Sequence, residues 1–471
     1  MQAKIFFGSE EALTDTNTKR VSPYSGEVVS LAPICSIDDA KKALKIAQAA
    51  TVVAKTSTLA QRCSWLLDVA QKLHKHKEDM AKTLTHEVGK PITFARVEVE
   101  RCIETVTLAA ETMRTMHGET INTDAMASGK KTTAFFTREP AGVVVAITPF
   151  NFPLNLVAHK LAPALVAGNT VVLKPTPEAP LTAYKFVKMF IESKFAVPNA
   201  LSLLFGDAEI GSALICSEIP RVISFTGSVS VGNIIAKSAG IKKVSLELGG
   251  NAATYISESA DLDLAAKRCA LGAFVNSGQV CISLQRIYVN TKIYDEFAQK
   301  MAEETKRLVV GNPYKDDTFM GPLIDDMAAE RAMDWIESAI KEGAIPLLPP
   351  HREGRMFHPC VMANVTDDMA IVCEEVFAPI VSLVKVDTLD DAILRMNNSP
   401  YGLQFSIFTN DLRVMQRAIS ELDAGGIVIN DMPTLRFDIQ PYGGMKLSGV
   451  GREGPRFAIE EMTEIKSVII C

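Results

Sequence analysis

The stretch Phe274-Val-Asn-Ser-Gly-Gln-Val-Cys281 sets one thiol just after a small, turn-forming Ser-Gly pair. A thiolate in such a place attacks an electrophilic carbonyl, and N–H groups bared by a tight turn hold the oxyanion that forms. Taken alone, the same cysteine reads equally as a small core residue. A second suggestive segment, Gly227-Ser-Val-Ser-Val-Gly232, follows an apolar run and opens a helix. Ser228 and the nearby amides could meet an anion at the positive end of that helix. The spacing is not G-x-G-x-x-G, and a plain glycine turn between strand and helix fits it as well. Lys174, which ends another apolar run, can reach ribose hydroxyls or a 2′-phosphate, or can simply be solvated.

These residues need a scaffold, and the hydrophobic pattern supplies one. Residues 38–50, 58–90 and 92–117 read as helices, and 118–137 as a peripheral strand pair. Five short apolar runs then alternate with helices: Gly142–Thr148, Thr170–Leu173, Leu201–Phe205, Arg221–Thr226 and Lys243–Leu248. The first is followed by a helix expected from Asn151, and the others by 180–194, 207–217 and 228–239. Such alternation predicts an α/β fold with a parallel sheet covered on both faces. After Gly249-Gly250 the pattern restarts, with strands expected at 284–290, 380–386, 403–409 and 426–430, giving a second doubly wound α/β domain. The β-prone end Ile465–Ile470 needs a pairing partner, for which a second subunit is a candidate.

Ligands bind such sheets beyond the carboxyl ends of the strands. Those ends carry Thr148-Pro149-Phe150, then Lys174 with Thr176, Pro177 and Glu178, then Gly206. Next come Phe225-Thr226-Gly227-Ser228 with Gly232, and Glu247-Leu248. Together they form a candidate dinucleotide edge, although none decides the matter alone.

Composition narrows the classes. The 471 residues exceed what one core usually organises, and 47% apolar with 22% charged residues fits a globular protein. A net charge of −6 without a basic block argues against nucleic acid as a partner. Nine scattered cysteines show neither C-x-x-C nor zinc-ligand spacing, so no metal is expected and a reducing compartment is. No apolar run reaches the roughly 18 residues of a spanning helix, and the N-terminus does not read as a signal peptide. A cytoplasmic protein with no membrane partner is expected.

With Cys281 and the strand ends in place, the chain resembles the aldehyde dehydrogenase superfamily over nearly its whole length. The resemblance rests on Pro149-Phe-Asn-Phe-Pro153, Leu173-Lys-Pro, Phe225-Thr-Gly-Ser228, Leu246-Glu-Leu-Gly-Gly250 and Asn276-Ser-Gly-Gln-Val-Cys281. Met320-Gly-Pro-Leu-Ile324, Glu374-Glu-Val-Phe-Ala-Pro379 and Pro441-Tyr-Gly-Gly-Met-Lys-Leu-Ser-Gly449 extend it. In appearance the chain is most similar to the lactaldehyde dehydrogenase and small-aldehyde branch.

The resemblance implies an NAD(P)-binding domain (1–117 and 136–248), a catalytic domain (249–440) and a small β extension (118–135 and 441–471) used to form a homodimer or homotetramer. It implies Cys281 as nucleophile, Glu247 as general base, and Asn151 with the Cys281 amide as oxyanion donors. Glu375 would contact the nicotinamide ribose, with Phe377 beside the nicotinamide. A small aldehyde would pass through a thiohemiacetal and a thioester, which water hydrolyses. Release to CoA, a semialdehyde substrate, or a non-catalytic structural relative are the alternatives; retention of Glu247 favours water as acceptor.

Two departures matter. Where many NAD-selective members carry glutamate three positions after the lysine, this chain has Pro177, which leaves NADP as open as NAD. Val280 precedes the nucleophile, where members acting on phosphorylated aldehydes often carry arginine. Asn151, Asn155 and His159 at i, i+4 and i+8 would form one polar helix face, suited to the hydroxyl of lactaldehyde or glycolaldehyde. Arg436 could instead recognise a carboxylate.

Overall fold

A computed structural model describes residues 2–471. The five apolar runs form parallel strands, Val143–Ile147, Thr170–Lys174, Leu201–Leu203, Val222–Thr226 and Lys243–Glu247. Their spatial order places Val143–Ile147 between Thr170–Lys174 and Val222–Thr226, so the winding reverses between Ile147 and Thr226. That reversal opens a crevice at the strand ends, where ligands of such sheets sit. The strands are continuous apolar runs because helices cover both faces. Ile5–Phe7 and Glu10–Ala12 extend one edge, and Gly449–Val450 closes the other beside Lys243–Glu247. The eight-stranded sheet therefore draws on both ends of the chain.

A second sheet of seven strands contains Ala252–Ile256, Leu284–Asn290, Ile380–Val386, Gln404–Phe408 and Gly426–Ile429, all mutually parallel to their neighbours. The α/β class with two parallel-sheet units is thus as expected. Among the described residues, no helix is long and apolar enough to cross a membrane.

Several boundaries differ from the expectation. The helix expected over 58–90 is two, Leu59–Lys75 and Lys77–Val88, broken at His76 with no glycine or proline to signal it. The helix expected from Asn151 begins at Asn155, because residues 151–154 turn first. The terminal strand Thr463–Ile470 pairs antiparallel with Thr133–Pro140 of its own chain over eight positions, and its other side is the open edge of that sheet. Its exposed Ile465, Ile469 and Ile470 remain uncovered.

Trp65 anchors the helix Leu59–Lys75 to the cofactor-side core. Its ring meets Phe190 edge-on at 6.0 Å, and its Nε1 donates to the Phe190 carbonyl at 2.9 Å. Trp65→Ala is expected to cost about 3–5 kcal/mol in denaturant unfolding, and Trp65→Phe appreciably less.

Candidate active site

Cys281 lines a cavity of about 550 Å³, together with Thr226 and Glu247 at the strand ends of the eight-stranded sheet. The chain approaches it through Asn276, Ser277 and Gly278, three successive left-handed residues at φ 51°, 57° and 72°. Two non-glycine residues in that region are strained, and such strain survives only where neighbours over-determine it. Ser277 Oγ donates to the Gly321 carbonyl at 2.8 Å, and Gln279 Oε1 accepts from the Ile324 N–H at 3.0 Å. A Cβ on Gly278 would strike the Ala378 carbonyl, so glycine is required there. Burial pushes the Cys281 thiol up to about 12, against the lowering pull of the Tyr442 hydroxyl 3.1 Å from Sγ and of Arg436.

Asn151 is held by two buried charges. Lys90 and Glu98 form an ion pair with both side chains enclosed, and Lys90 Nζ donates to the Asn151 carbonyl at 2.7 Å. Glu98 Oε1 accepts from the Leu154 and Asn155 amides at 2.9 and 3.2 Å. It thereby satisfies N–H groups that the start of the helix Asn155–Val166 would otherwise leave orphaned. The Phe152 N–H holds Asn151 Oδ1 at 3.0 Å, which leaves the side-chain NH₂ as the end free to meet an oxyanion.

Glu247 ends its strand in the same cavity, 3% exposed, and neither carboxylate oxygen has a hydrogen-bond partner. Burial, and then the charge of Glu453, push its carboxyl well above the usual range, with Arg436 and Lys160 pulling the other way. Glu453 itself is held low. Burial alone would raise it, but Lys160, 3.4 Å away, and Arg436, 3.0 Å away, win. The two carboxyls are therefore driven apart: Glu453 stays ionised, and Glu247 is poised to take a proton.

The cofactor edge fits a dinucleotide. Pro149, Phe150, Gly227, Ser228 and Leu248 line the cavity at the strand ends, and Ile147 is in register with Lys174. Thr148 Oγ1 is buried without a partner, an orphan that a ligand hydroxyl or phosphate would satisfy. Lys174 is buried and its ammonium pushed down by desolvation, partly offset by Glu178 and Asp207. Glu375 accepts from the Gly250 N–H at 3.2 Å, and burial raises it to about 7. Phe377, at φ 49°, meets Phe150 edge-on at 6.0 Å across the mouth.

Some candidates sit elsewhere. Phe225 is buried with its ring against Gly227, and Gly206, Thr176, Pro177 and Glu178 lie along the sheet edge outside the cavity lining, with Thr176 bonded to Glu178. Ser228 Oγ caps its own helix through the Val231 N–H at 3.4 Å, and Gly232 backs onto Leu248. The polar helix face does not form, since Asn151 precedes the helix. Asn155 lines the cavity but accepts from Thr105, while His159 is absent from the lining and bonds Asp438 at 3.0 Å. Arg436 is no exposed loop residue. It is buried against Glu453, Asp438 and the Tyr442 ring. Lys90, Glu98, Arg101, Tyr442 and Glu453 carry no signal of their own in the sequence, although Tyr442 lies within a quoted motif.

Removing one charge of a buried pair costs about 3–5 kcal/mol, so Glu98→Gln should lower stability, and the displaced Asn151 should lower kcat by roughly a hundredfold. A Lys90→Met/Glu98→Leu double variant should regain only part of that stability in denaturant unfolding, because the Asn151 carbonyl and the Leu154 and Asn155 amides lose their partners, and should not regain kcat. Glu247 has a raised folded-state pKa, so its ionisation opposes folding increasingly as pH rises above the unfolded carboxyl value of about 4.5. Glu247→Gln should therefore unfold at a higher temperature than the wild type at pH 8, with the gap closing toward pH 5.

Comparison with known proteins identifies the lineage. The model described as "Aldehyde dehydrogenase family" matches residues 10–468. The chain is 41% identical to a 3-sulfolactaldehyde dehydrogenase of Priestia aryabhattai, over 100% of this chain and 98% of that one. It is 39% identical to a lactaldehyde dehydrogenase of Methanococcus aeolicus, covering 95% of this chain and 96% of the relative. Among solved structures, an NADP-dependent glyceraldehyde-3-phosphate dehydrogenase from Bacillus halodurans complexed with NADP superposes with a TM-score of 0.98 at 32% identity, covering 100% and 99% of the two chains. The chain belongs to the aldehyde dehydrogenase family and is an NAD(P)-dependent aldehyde dehydrogenase.

Proposed function

We propose that the enzyme oxidises a short aldehyde that carries a hydroxyl and an acidic far end, of the sulfolactaldehyde or semialdehyde kind. The observation that carries this reading is the pair Arg101 and Arg436 on the cavity wall. Arg101 spends Nε and Nη2 on Asp438, at 2.9 and 2.7 Å, which leaves Nη1. Arg436 spends Nη2 on Glu453 at 3.0 Å. The Nη1 of each guanidinium remains, two donors that a carboxylate or sulfonate could bridge. Thr434 Oγ1, buried without a partner on the same wall, fits a substrate hydroxyl and supports lactaldehyde as a weaker substrate.

In this reading Cys281 attacks the carbonyl carbon, and the Asn151 NH₂ with the Cys281 amide takes up the oxyanion. When bound, the nicotinamide supplies the acceptor for the hydride that leaves the tetrahedral carbon. Glu247 then takes a proton from water as that water opens the thioester. Its raised carboxyl matches a base that must pick up a proton and release it again. Lys174 with Pro177 in place of a carboxylate fits a 2′-phosphate, so NADP⁺ should serve at least as well as NAD⁺. The exposed isoleucines of the terminal strand would support contact between copies of the chain in a homo-oligomer.

Reduced-nicotinamide absorbance with succinic semialdehyde, sulfolactaldehyde, lactaldehyde and propanal tests the assignment. An arginine–anion contact worth about 1.5–3 kcal/mol predicts kcat/KM roughly ten- to a hundredfold higher for the acidic aldehydes than for propanal, and loss of that preference in Arg436→Met. Equal rates for all four would remove the acidic subsite, and activity surviving Cys281→Ala would remove the nucleophile.

A further inference from the structure

Tyr442 is the partner that the sulfur has. Its hydroxyl stands 3.1 Å from Cys281 Sγ, the one hydrogen bond to that sulfur among the described residues. The ring is enclosed and carries the Arg436 guanidinium on its face, 3.7 Å from the centroid. Its backbone is locked by a reciprocal pair with Glu453, the Tyr442 N–H donating at 3.0 Å and the Glu453 N–H at 2.6 Å. On the next residue, Gly443, the carbonyl lies so close to Gly425 that no side chain fits between them. The hydroxyl is therefore aimed at the sulfur by constraints on ring and backbone together.

We propose that Tyr442 is a further catalytic residue, whose O–H donates to the Cys281 sulfur whenever that atom carries negative charge. The proposal rests on Cys281 as the reacting thiol. The charge appears twice. Before attack, the thiol proton leaves to the Glu247 carboxylate or to water, and the thiolate accepts from Tyr442. During attack the Sγ lone pair forms the C–S bond and the C=O π pair moves to oxygen. In thioester hydrolysis the water oxygen forms a C–O bond and its proton goes to Glu247. The C–S bond then breaks and its electron pair returns to Sγ, again facing the phenol. Tyr442 keeps its own proton throughout, because burial and the neighbouring sulfur push the phenol up.

A phenol donating to an anionic sulfur makes a charge-assisted bond, stronger than a neutral one. The cation over the ring draws on its π density, which makes the O–H a better donor. These effects work against the desolvation that would otherwise hold the buried thiol protonated.

Tyr442→Phe removes the hydroxyl and keeps the ring beneath Arg436. The readout is the pH dependence of Cys281 alkylation by iodoacetamide, followed by mass spectrometry on the intact enzyme, with Cys281→Ala as the blank. The expected result is a midpoint shifted upward by about one pH unit and a roughly tenfold slower alkylation at neutral pH. Hydrolysis of an acyl-enzyme formed from 4-nitrophenyl acetate should slow as well. Replacement of Tyr442 by a ring-fluorinated tyrosine, a stronger donor of the same shape, should move the midpoint downward, and this arm stands even if the phenylalanine variant does not fold. An unchanged midpoint in either folded variant overturns the proposal, even where kcat has fallen. Full dehydrogenase activity in Cys281→Ala would instead overturn the nucleophile on which it rests, a separate outcome.

Discussion

The ion pair of Lys90 and Glu98 is the constraint on which the site depends. Two charges sealed from water are tolerable only when every remaining hydrogen-bonding position is filled. Here the surplus valences are spent on one short stretch of backbone, the Asn151 carbonyl and the amides of Leu154 and Asn155. Those groups lie in the turn between the central strand and its helix, at the point where the sheet reverses its winding. A hydrophobic pair of the same volume would fill the space but would not define where the turn's polar groups point. The pair thus converts burial energy into position, and Asn151 inherits that position.

A second layer of charge sits on the other side of the thiol. Lys160, Arg436 and Arg101 face Glu453, Asp438 and Glu247, and the pairing is uneven. Glu453 and Asp438 take the cations as direct partners. Glu247 receives only their more distant field. The unevenness decides the chemistry, because a fully paired carboxylate would be a permanent anion and a fully isolated one a permanent acid. Glu247 lies between, and the protein keeps it there by giving its neighbour the better contacts.

Much of this was legible in the residues. The parallel strands announce themselves as continuous apolar runs, and several boundaries, such as Leu284–Asn290 and Ile380–Val386, fall where the pattern places them. Cys281 and Glu247 could be located as chemistry at turns and strand ends. What periodicity hides is any group whose role is set by a partner far along the chain. Glu98 sits mid-helix with the spacing of an ordinary helical residue, and only its contact with a turn more than fifty positions later gives it meaning. Spacing is equally silent about the partners of Asn155 and His159, where Thr105 donates to Asn155 Oδ1 and Asp438 lies against His159 Nε2. The break at His76 left no trace because no glycine or proline makes it.

Glu247 owes its last neighbour to the far end of the chain, since Gly449 pairs with it and the Ser448 carbonyl accepts from Leu248 at 2.9 Å. Phe6, near the opposite terminus, pairs with Leu203 in the same sheet. A ribosome delivers these pieces in order, so the nucleotide-binding sheet stays open on the Glu247 side until Gly449 and Val450 have emerged. Long-range pairing of this kind is slow and leaves strand edges bare in the meantime. The Glu247 strand therefore stays unpaired on that side while the whole second sheet is being made, and it is completed only once Gly449 and Val450 dock.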